Sequence, residues 1–313
     1  MMKIGFLFAG QGAQYPGMGK SLYECSPAAK NIFDEAGEAI KENCFNGTEE
    51  TLKQTHVTQP CVYIVAMAAY SALLEAVQIT PAGIAGFSLG EYSALTAAGV
   101  IDSIKKGLAI VTRRGELMLK AGTGEDGSRM GAMAAAIGKR EDILRCVEAA
   151  RESGILEGVN FNSPTQTVVA GDKAALERFR EKAAENKIKA IPLSVGTAFH
   201  TPMMAPVMEP LRQLLSGADL KEPSLKIYCN LTGNEIGRPI ADVMAKQAAN
   251  PVFWQETIEN MVSHGIELMI EFGPGKALCG MVKKTAPQIT TLNVEDKESL
   301  EKTIETLRRM LAC

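Results

Sequence analysis

The chain has 313 residues, 46% of them hydrophobic, enough to bury a sizeable core as one large domain plus a smaller unit. A net charge of -3 and a pI near 5.8 argue against a dedicated nucleic-acid or anionic-membrane protein, so neither partner is expected and any polyanion is met locally. The cysteines, Cys25, Cys44, Cys61, Cys146, Cys229, Cys279 and Cys313, form no close pair and are odd in number, which fits a reducing, cytoplasmic setting and neither a disulfide framework nor a metal site.

The run 4–9 is apolar, of strand length, and ends in Gly10-Gln11-Gly12, which predicts a buried parallel strand entering a loop. It lacks the cleavage site of a signal peptide. Gln59-Pro60 opens a predicted helix through Val77, whose longest apolar stretch, 61–70, is about half of the ~20 residues a membrane span needs. A short strand is predicted at 81–87, a sharp turn at Ser88 and a helix at 91–98 stopped by Gly99. Strands alternating with helices predict an α/β fold with a parallel sheet.

Residues 122–128 shift to Gly, Asp, Glu and Ser and read as a linker. Beyond it the predicted order is strand 133–137, helix 140–153, strands 159–162 and 167–170, helix 173–186 and strand 190–195. That β-α-β-β-α-β order is ferredoxin-like. The α/β pattern then resumes, with strands at 227–230 and 268–272 and a helix at 254–264. The expected organisation is a discontinuous large catalytic domain, 1–126 and 198–313, with a ferredoxin-like small domain inserted at 127–197.

Gly86-Phe87-Ser88-Leu89-Gly90 fits a nucleophile elbow, in which small neighbours let the backbone fold sharply under an exposed serine. The plainer reading is a glycine-rich turn with Ser88 as a helix cap. A serine nucleophile needs a base, and the histidines are His56, His200 and His264. His264, before Gly265 at a helix end, suits a structural role toward the last carbonyls, and His56 lies in a polar stretch with no acidic or serine neighbour. His200 follows a strand, in the loop position where sheet proteins place catalytic groups. The usual hydrolase order places an acid between serine and a late histidine. More than a hundred residues follow His200 and no acid is evident, so a dyad oriented by an amide or carbonyl is expected.

Helical periodicity from Ile104 aligns Leu108, Val111, Gly115 and Met118 on an apolar stripe, with Ile110 beside it. Arg114 projects between Val111 and Ile110, whereas Arg113 points toward solvent. A guanidinium on an apolar face needs a partner and suits bidentate pairing with a carboxylate; a structural ion pair is the alternative. The loop 10–14 lacks the third glycine of a dinucleotide fingerprint, Tyr15 standing there, and Gly273-Pro274-Gly275-Lys276 reads as a turn. A backbone N–H of the first loop, together with that of Leu89, can bind an oxyanion. No cofactor is expected.

Taken as an ordered set, Gly10-Gln11-Gly12-Ala13-Gln14, Gly86 to Glu91 with Ser88, Arg114-Gly115, Gly131-Ala132-Met133, Asn160-Phe161-Asn162-Ser163-Pro164, Phe199-His200, Asn250-Pro251-Val252 and Glu271 to Gly275 resemble the malonyl-CoA:acyl-carrier-protein transacylases and related acyltransferases of polyketide synthesis, almost end to end. The resemblance implies a hydrolase-like α/β domain with a ferredoxin-like insertion. It also implies a monomer that carries malonyl from malonyl-CoA to an acyl carrier protein through an ester on Ser88, in fatty acid or polyketide synthesis. By the same resemblance His200 is base and acid, the N–H groups of Gln11 and Leu89 form the oxyanion hole, and Arg114 holds the malonyl carboxylate. Phe199 fits the malonyl-selective pattern, and the main-chain carbonyl of Gln247 orients the histidine. The family's elbow more usually reads Gly-His-Ser; Phe87 stands in that place here and bears on pocket shape. Lys105, Lys106, Lys187 and Lys189 are candidates to meet an acidic carrier, solvated surface lysines being the plainer reading. The rivals are a serine thioesterase or hydrolase using the same dyad, and a noncatalytic carrier-binding module.

Overall fold

A computed structural model describes residues 2–311; Met1, Ala312 and Cys313 lie outside the described residues, including the last two positions of the expected large domain. The chain begins with β1 (Lys3–Phe8), the short helices α1 (Lys20–Cys25), α2 (Pro27–Ala36), α3 (Glu38–Asn46) and α4 (Glu49–Leu52), the long α5 (Thr55–Ala76), β2 (Gly83–Gly86), α6 (Gly90–Ala97) and α7 (Ile104–Ala121). The inserted unit is β3 (Gly131–Ile137), α8 (Arg140–Arg151), β4 (Leu156–Ser163), β5 (Gln166–Asp172), α9 (Lys173–Glu185) and β6 (Lys189–Pro192). The chain closes with α10 (Ala205–Ser216), β7 (Ile227–Tyr228), α11 (Ile240–Gln247), α12 (Trp254–Ser263), β8 (Ile266–Phe272), α13 (Ala277–Thr285), β9 (Thr290–Val294) and α14 (Lys297–Leu311).

The large sheet has the order β7-β2-β1-β8-β9, and its pairs are all parallel. β1 sits at its centre because its residues are apolar in succession and both faces are covered. Ile4, Phe6 and Phe8 enter the main core, while Leu7 joins Ala85 and Met269 in a second cluster on the opposite face. The small sheet is antiparallel in the order β4-β5-β3-β6, the ferredoxin-like arrangement expected, and it lies within the expected 127–197 unit. Alternation in β3 divides its methyl groups: Ala134 and Ala136 pack under α8 and α9, whereas Met133 and Ala135 belong to the main core. The N–H of Phe161 also donates to the Val252 carbonyl (2.9 Å), tying β4 to the large domain.

Several boundaries differ from expectation. The long helix starts at Thr55 rather than Gln59, because the polar residues before Pro60 form its first turn, where Thr58 Oγ1 donates to the Leu52 and Gln54 carbonyls. At 22 residues α5 is long and apolar enough to cross a membrane by length and composition, but it is largely buried in the protein, against α2 and α7. The expected linker is a turn closed by a bridge between Thr123 and Arg129. β6 ends at Pro192 rather than 195, and the next residues leave the sheet to line a cavity. The short helices before α5, along with α10, β9 and α14, have no counterpart in the sequence reading.

Candidate active site

Ser88 stands between β2 and α6 with φ 50°, a left-handed conformation held by its surroundings. The turn is tight enough to require glycine on both sides. A Cβ on Gly86 would lie 1.9 Å from the Gly90 carbonyl carbon, and one on Gly90 would lie 2.1 Å from the Phe8 carbonyl oxygen. Asn230, just after β7, braces the turn: its Oδ1 accepts the Ser88 N–H (2.6 Å) and its Nδ2 donates to the Gly86 carbonyl (2.7 Å). The sequence reading missed Asn230, which carries no motif signal.

Across the cleft His200 also has positive φ, 62°, in a turn where Thr201 Oγ1 donates to the Ala198 carbonyl (2.7 Å). Its Nε2 lies 2.8 Å from Ser88 Oγ. Its Nδ1 lies 2.9 Å from the Gln247 carbonyl and 3.1 Å from the Asn250 carbonyl. A carbonyl only accepts, so Nδ1 carries the hydrogen of the neutral ring and Nε2 faces the serine hydroxyl with its lone pair. The Gln247 carbonyl, expected to orient the histidine, lies within hydrogen-bond reach of Nδ1 together with that of Asn250. Burial, and then the positive charge of Arg114, lower the His200 pKa to about 4, so the ring is neutral near pH 7. His56 lies in the first turn of α5, and His264 ends α12 with Nδ1 2.7 Å from the Tyr228 hydroxyl; neither reaches Ser88.

The buried face of α7 runs through Gly107, Ile110, Val111, Arg114, Gly115, Leu117 and Met118, with Ile104 and Leu108 at its margin, so Arg114 lies on the stripe between Ile110 and Val111. Only 1% of Arg114 is exposed, while Arg113 faces solvent and pairs with Glu116 (2.8 Å). Arg114 Nη1 donates to Gln59 Oε1 (2.9 Å), and Nη2 to Ser88 Oγ (3.3 Å) and Gln247 Oε1 (3.2 Å). The Tyr92 ring lies beneath it, 5.3 Å from Cζ to the ring centroid. Among the described residues these acceptors are all neutral, and Nε is buried without a partner. Such a cation is costly to bury and fitted to an incoming carboxylate. Gln59 was read only as a helix start; its Nε2 also donates to Gln11 Oε1 (3.3 Å), linking the first loop to the arginine.

These groups line a cavity of about 310 Å³ with Gln11, Met118, Met133, Asn160, Leu193 and Phe199. The backbone N–H groups of Gln11 and Leu89 donate to no other group among the described residues. Phe87 lines the same cavity and packs edge-on against Trp254, ring centroids 5.3 Å apart, so an aromatic contact occupies the place of the family's elbow histidine. Chemically the arrangement offers an activated hydroxyl, a neutral base and a fixed cation in one partly closed pocket.

Residues 5–310 match the acyl transferase domain family. The chain is 38% identical over 317 aligned positions to the malonyl CoA-acyl carrier protein transacylase of Bacillus subtilis, covering 98% of this chain and 98% of that protein. Among solved structures, the malonyl CoA-acyl carrier protein transacylase of Clostridium perfringens superposes with a TM-score of 0.92 at 37% identity, covering 99% and 98% of the two chains. A type II polyketide synthase acyl carrier protein in complex with its malonyl-transacylase gives a TM-score of 0.92 at 34% identity, covering 97% of this chain and 99% of that one.

Proposed function

The chain belongs to the malonyl-CoA:acyl-carrier-protein transacylase family, and on that premise we propose that it moves a malonyl group from malonyl-CoA to the phosphopantetheine thiol of an acyl carrier protein in fatty acid synthesis. The reaction is ping-pong through an ester on Ser88. His200 Nε2 takes the Ser88 proton as Oγ attacks the thioester carbonyl, and the Gln11 and Leu89 N–H groups stabilise the oxyanion. The C–S bond then breaks and the coenzyme A sulfur leaves with the proton from His200. The carrier thiol repeats these steps in reverse, with His200 taking its proton and returning it to Ser88. Arg114 pairs with the malonyl carboxylate, drawing it into the place that neutral amides hold in the free enzyme. A cytoplasmic setting is part of the same proposal.

The observation that carries this reading is that one hydroxyl, Ser88 Oγ, lies within hydrogen-bond distance of both His200 Nε2 and Arg114 Nη2. Intact-protein mass spectrometry tests it: malonyl-CoA should add one malonyl mass at Ser88, and a carrier protein bearing phosphopantetheine should remove it. No adduct, or an adduct retained by Ser88→Ala, overturns the assignment.

A polyketide carrier is the second reading, supported by likeness to the transacylase solved with a polyketide carrier protein. Offering both carrier types to the malonyl-enzyme separates the two. A hydrolase would use the same dyad, but the carboxylate-matched arginine, and carbonyls rather than an acid on His200 Nδ1 among the described residues, favour transfer; the ratio of transfer to hydrolysis decides.

A further inference from the structure

Two glutamates are buried among the described residues, and one has an evident local role. Glu271 accepts the N–H groups of Leu278 (3.1 Å) and Cys279 (2.7 Å) at the start of α13, an ordinary N-terminal capping arrangement. Glu91, in the first turn of α6 and 1% exposed, directs its oxygens elsewhere. Oε1 accepts the Asn230 N–H (2.9 Å) and Oε2 accepts Gln247 Nε2 (2.7 Å).

Both partners hold reacting groups. Asn230 brackets the Ser88 backbone, as described above. The Gln247 amide donates to the Ser88 carbonyl (2.8 Å) as well as to Glu91, its Oε1 faces Arg114, and its main-chain carbonyl holds His200 Nδ1. We propose that Glu91 is a positioning residue that must be ionised for the site to keep its reactive shape, acting through Gln247 on His200 and Arg114 and through Asn230 on Ser88.

The donor arrangement is the reason. Each carboxylate oxygen receives an N–H, so protonation removes the charge that strengthens both bonds and leaves the protonated oxygen a weaker acceptor for its donor. The Gln247 amide then keeps its bond to the Ser88 carbonyl but loses the charged one of the two acceptors that fix its oxygen toward the guanidinium. The titratable and charged groups facing Glu91 are Arg114 from α7, Tyr92 from its own helix and Cys229 just after β7, with His200 behind Gln247. Burial is the largest influence and raises the Glu91 pKa to about 7, against the opposing hydrogen bonds and the Arg114 charge. Protonation of Glu91 therefore sets in at a higher pH than protonation of His200, and the acid side of the rate profile belongs to Glu91.

The inference rests on the proposed malonyl transfer for its assay, the single-turnover rate of Ser88 malonylation from about pH 5 to about pH 9. Wild type should lose rate as pH falls through neutrality. Glu91→Gln should stay folded, run roughly 10- to 100-fold slower at its plateau, and lack that neutral limb. Glu91→Asp keeps the charge but shortens the reach; it should retain the limb at reduced rate and serves if the glutamine variant does not fold. Glu271→Gln should leave the limb in place, since that carboxylate is also raised to about 7 but contacts no reacting group. A limb that survives in Glu91→Gln, a wild-type profile flat to about pH 5, or an aspartate variant as fast as wild type overturns the inference. Failure of wild type to be malonylated at all would instead remove the functional reading beneath it.

Discussion

The Arg114 guanidinium reaches the Ser88 hydroxyl, with Nη2 3.3 Å from Oγ, so under the proposed mechanism the acylated oxygen and the cation for the carboxylate stand a short distance apart. Malonyl presents its acyl carbonyl and its carboxylate one carbon apart. A charge-assisted pair contributes roughly 1.5 to 3 kcal/mol. Arg114→Ala should cost malonyl transfer on the order of ten- to a hundredfold, or more, in kcat/KM, while acetyl transfer falls little or rises. Arg113→Ala removes only the exposed pair with Glu116 and should change neither substrate appreciably. Equal losses for both thioesters at Arg114→Ala would make the arginine structural.

His200 gives a prediction about stability. Its pKa is lowered from 6.5 to about 4, so between those values the unfolded chain binds a proton that the folded site refuses. Stability from this group is therefore full above about pH 6.5 and is lost as pH falls toward 4, by up to ~3 kcal/mol. Relative to His200→Gln, wild type should lose stability progressively over that window in chemical denaturation. A constant difference between the two proteins would mean that the ring is accessible to water. The same variant should lower acyl transfer by several orders of magnitude, since base and acid are both removed.

The elbow makes a steric prediction. Cβ atoms on Gly86 and Gly90 would fall 1.9 and 2.1 Å from backbone atoms, where no side-chain rotation can relieve the overlap. Gly86→Ala and Gly90→Ala should each destabilise by about 3 kcal/mol or more, or prevent folding. A Tm unchanged in either variant would mean that the turn is looser than the distances require.

How far the sequence could be read follows from which interactions are local. The elbow was legible because Gly86, Ser88 and Gly90 belong to one turn, and Arg114 because a charge on an apolar helical face is anomalous within eighteen residues of α7. The small domain was legible because its strands and helices follow one another with clear periodicity. Asn230 and Gln59 were missed because their roles exist only across the tertiary fold, 142 residues from Ser88 in one case and 55 from Arg114 in the other. The start of α5 was misplaced because Pro60 looked like an opening residue, although Thr58 caps backward onto Leu52 and lets the helix begin earlier. β9 is hard to read because its apolar residues, Leu292 and Val294, are few and become core only beside β8, whereas α14 is legible in principle, Leu300, Ile304 and Leu307 recurring at helical spacing.

Acyl selectivity brings the last test to the ring beside the base. Phe199 is 8% exposed and lines the cavity of about 310 Å³ together with Met118, Met133 and Leu193, next to the base His200. If the acyl chain lies against this ring, a methyl branch crowds it, and one added carbon in an apolar pocket changes rates by roughly 10- to 200-fold. Methylmalonyl-CoA should therefore be slower than malonyl-CoA by about that factor. Phe199→Ala should bring the ratio below about tenfold by opening space, with malonyl transfer itself reduced only modestly because Arg114 still fixes the carboxylate. Phe87→Ala is the competing case, because that ring lines the same cavity from the elbow side and is held edge-on by Trp254. Competition assays with both thioesters across the two variants separate them. If Phe87→Ala relaxes the ratio and Phe199→Ala does not, discrimination resides in the elbow substitution, and the assignment of Phe199 fails.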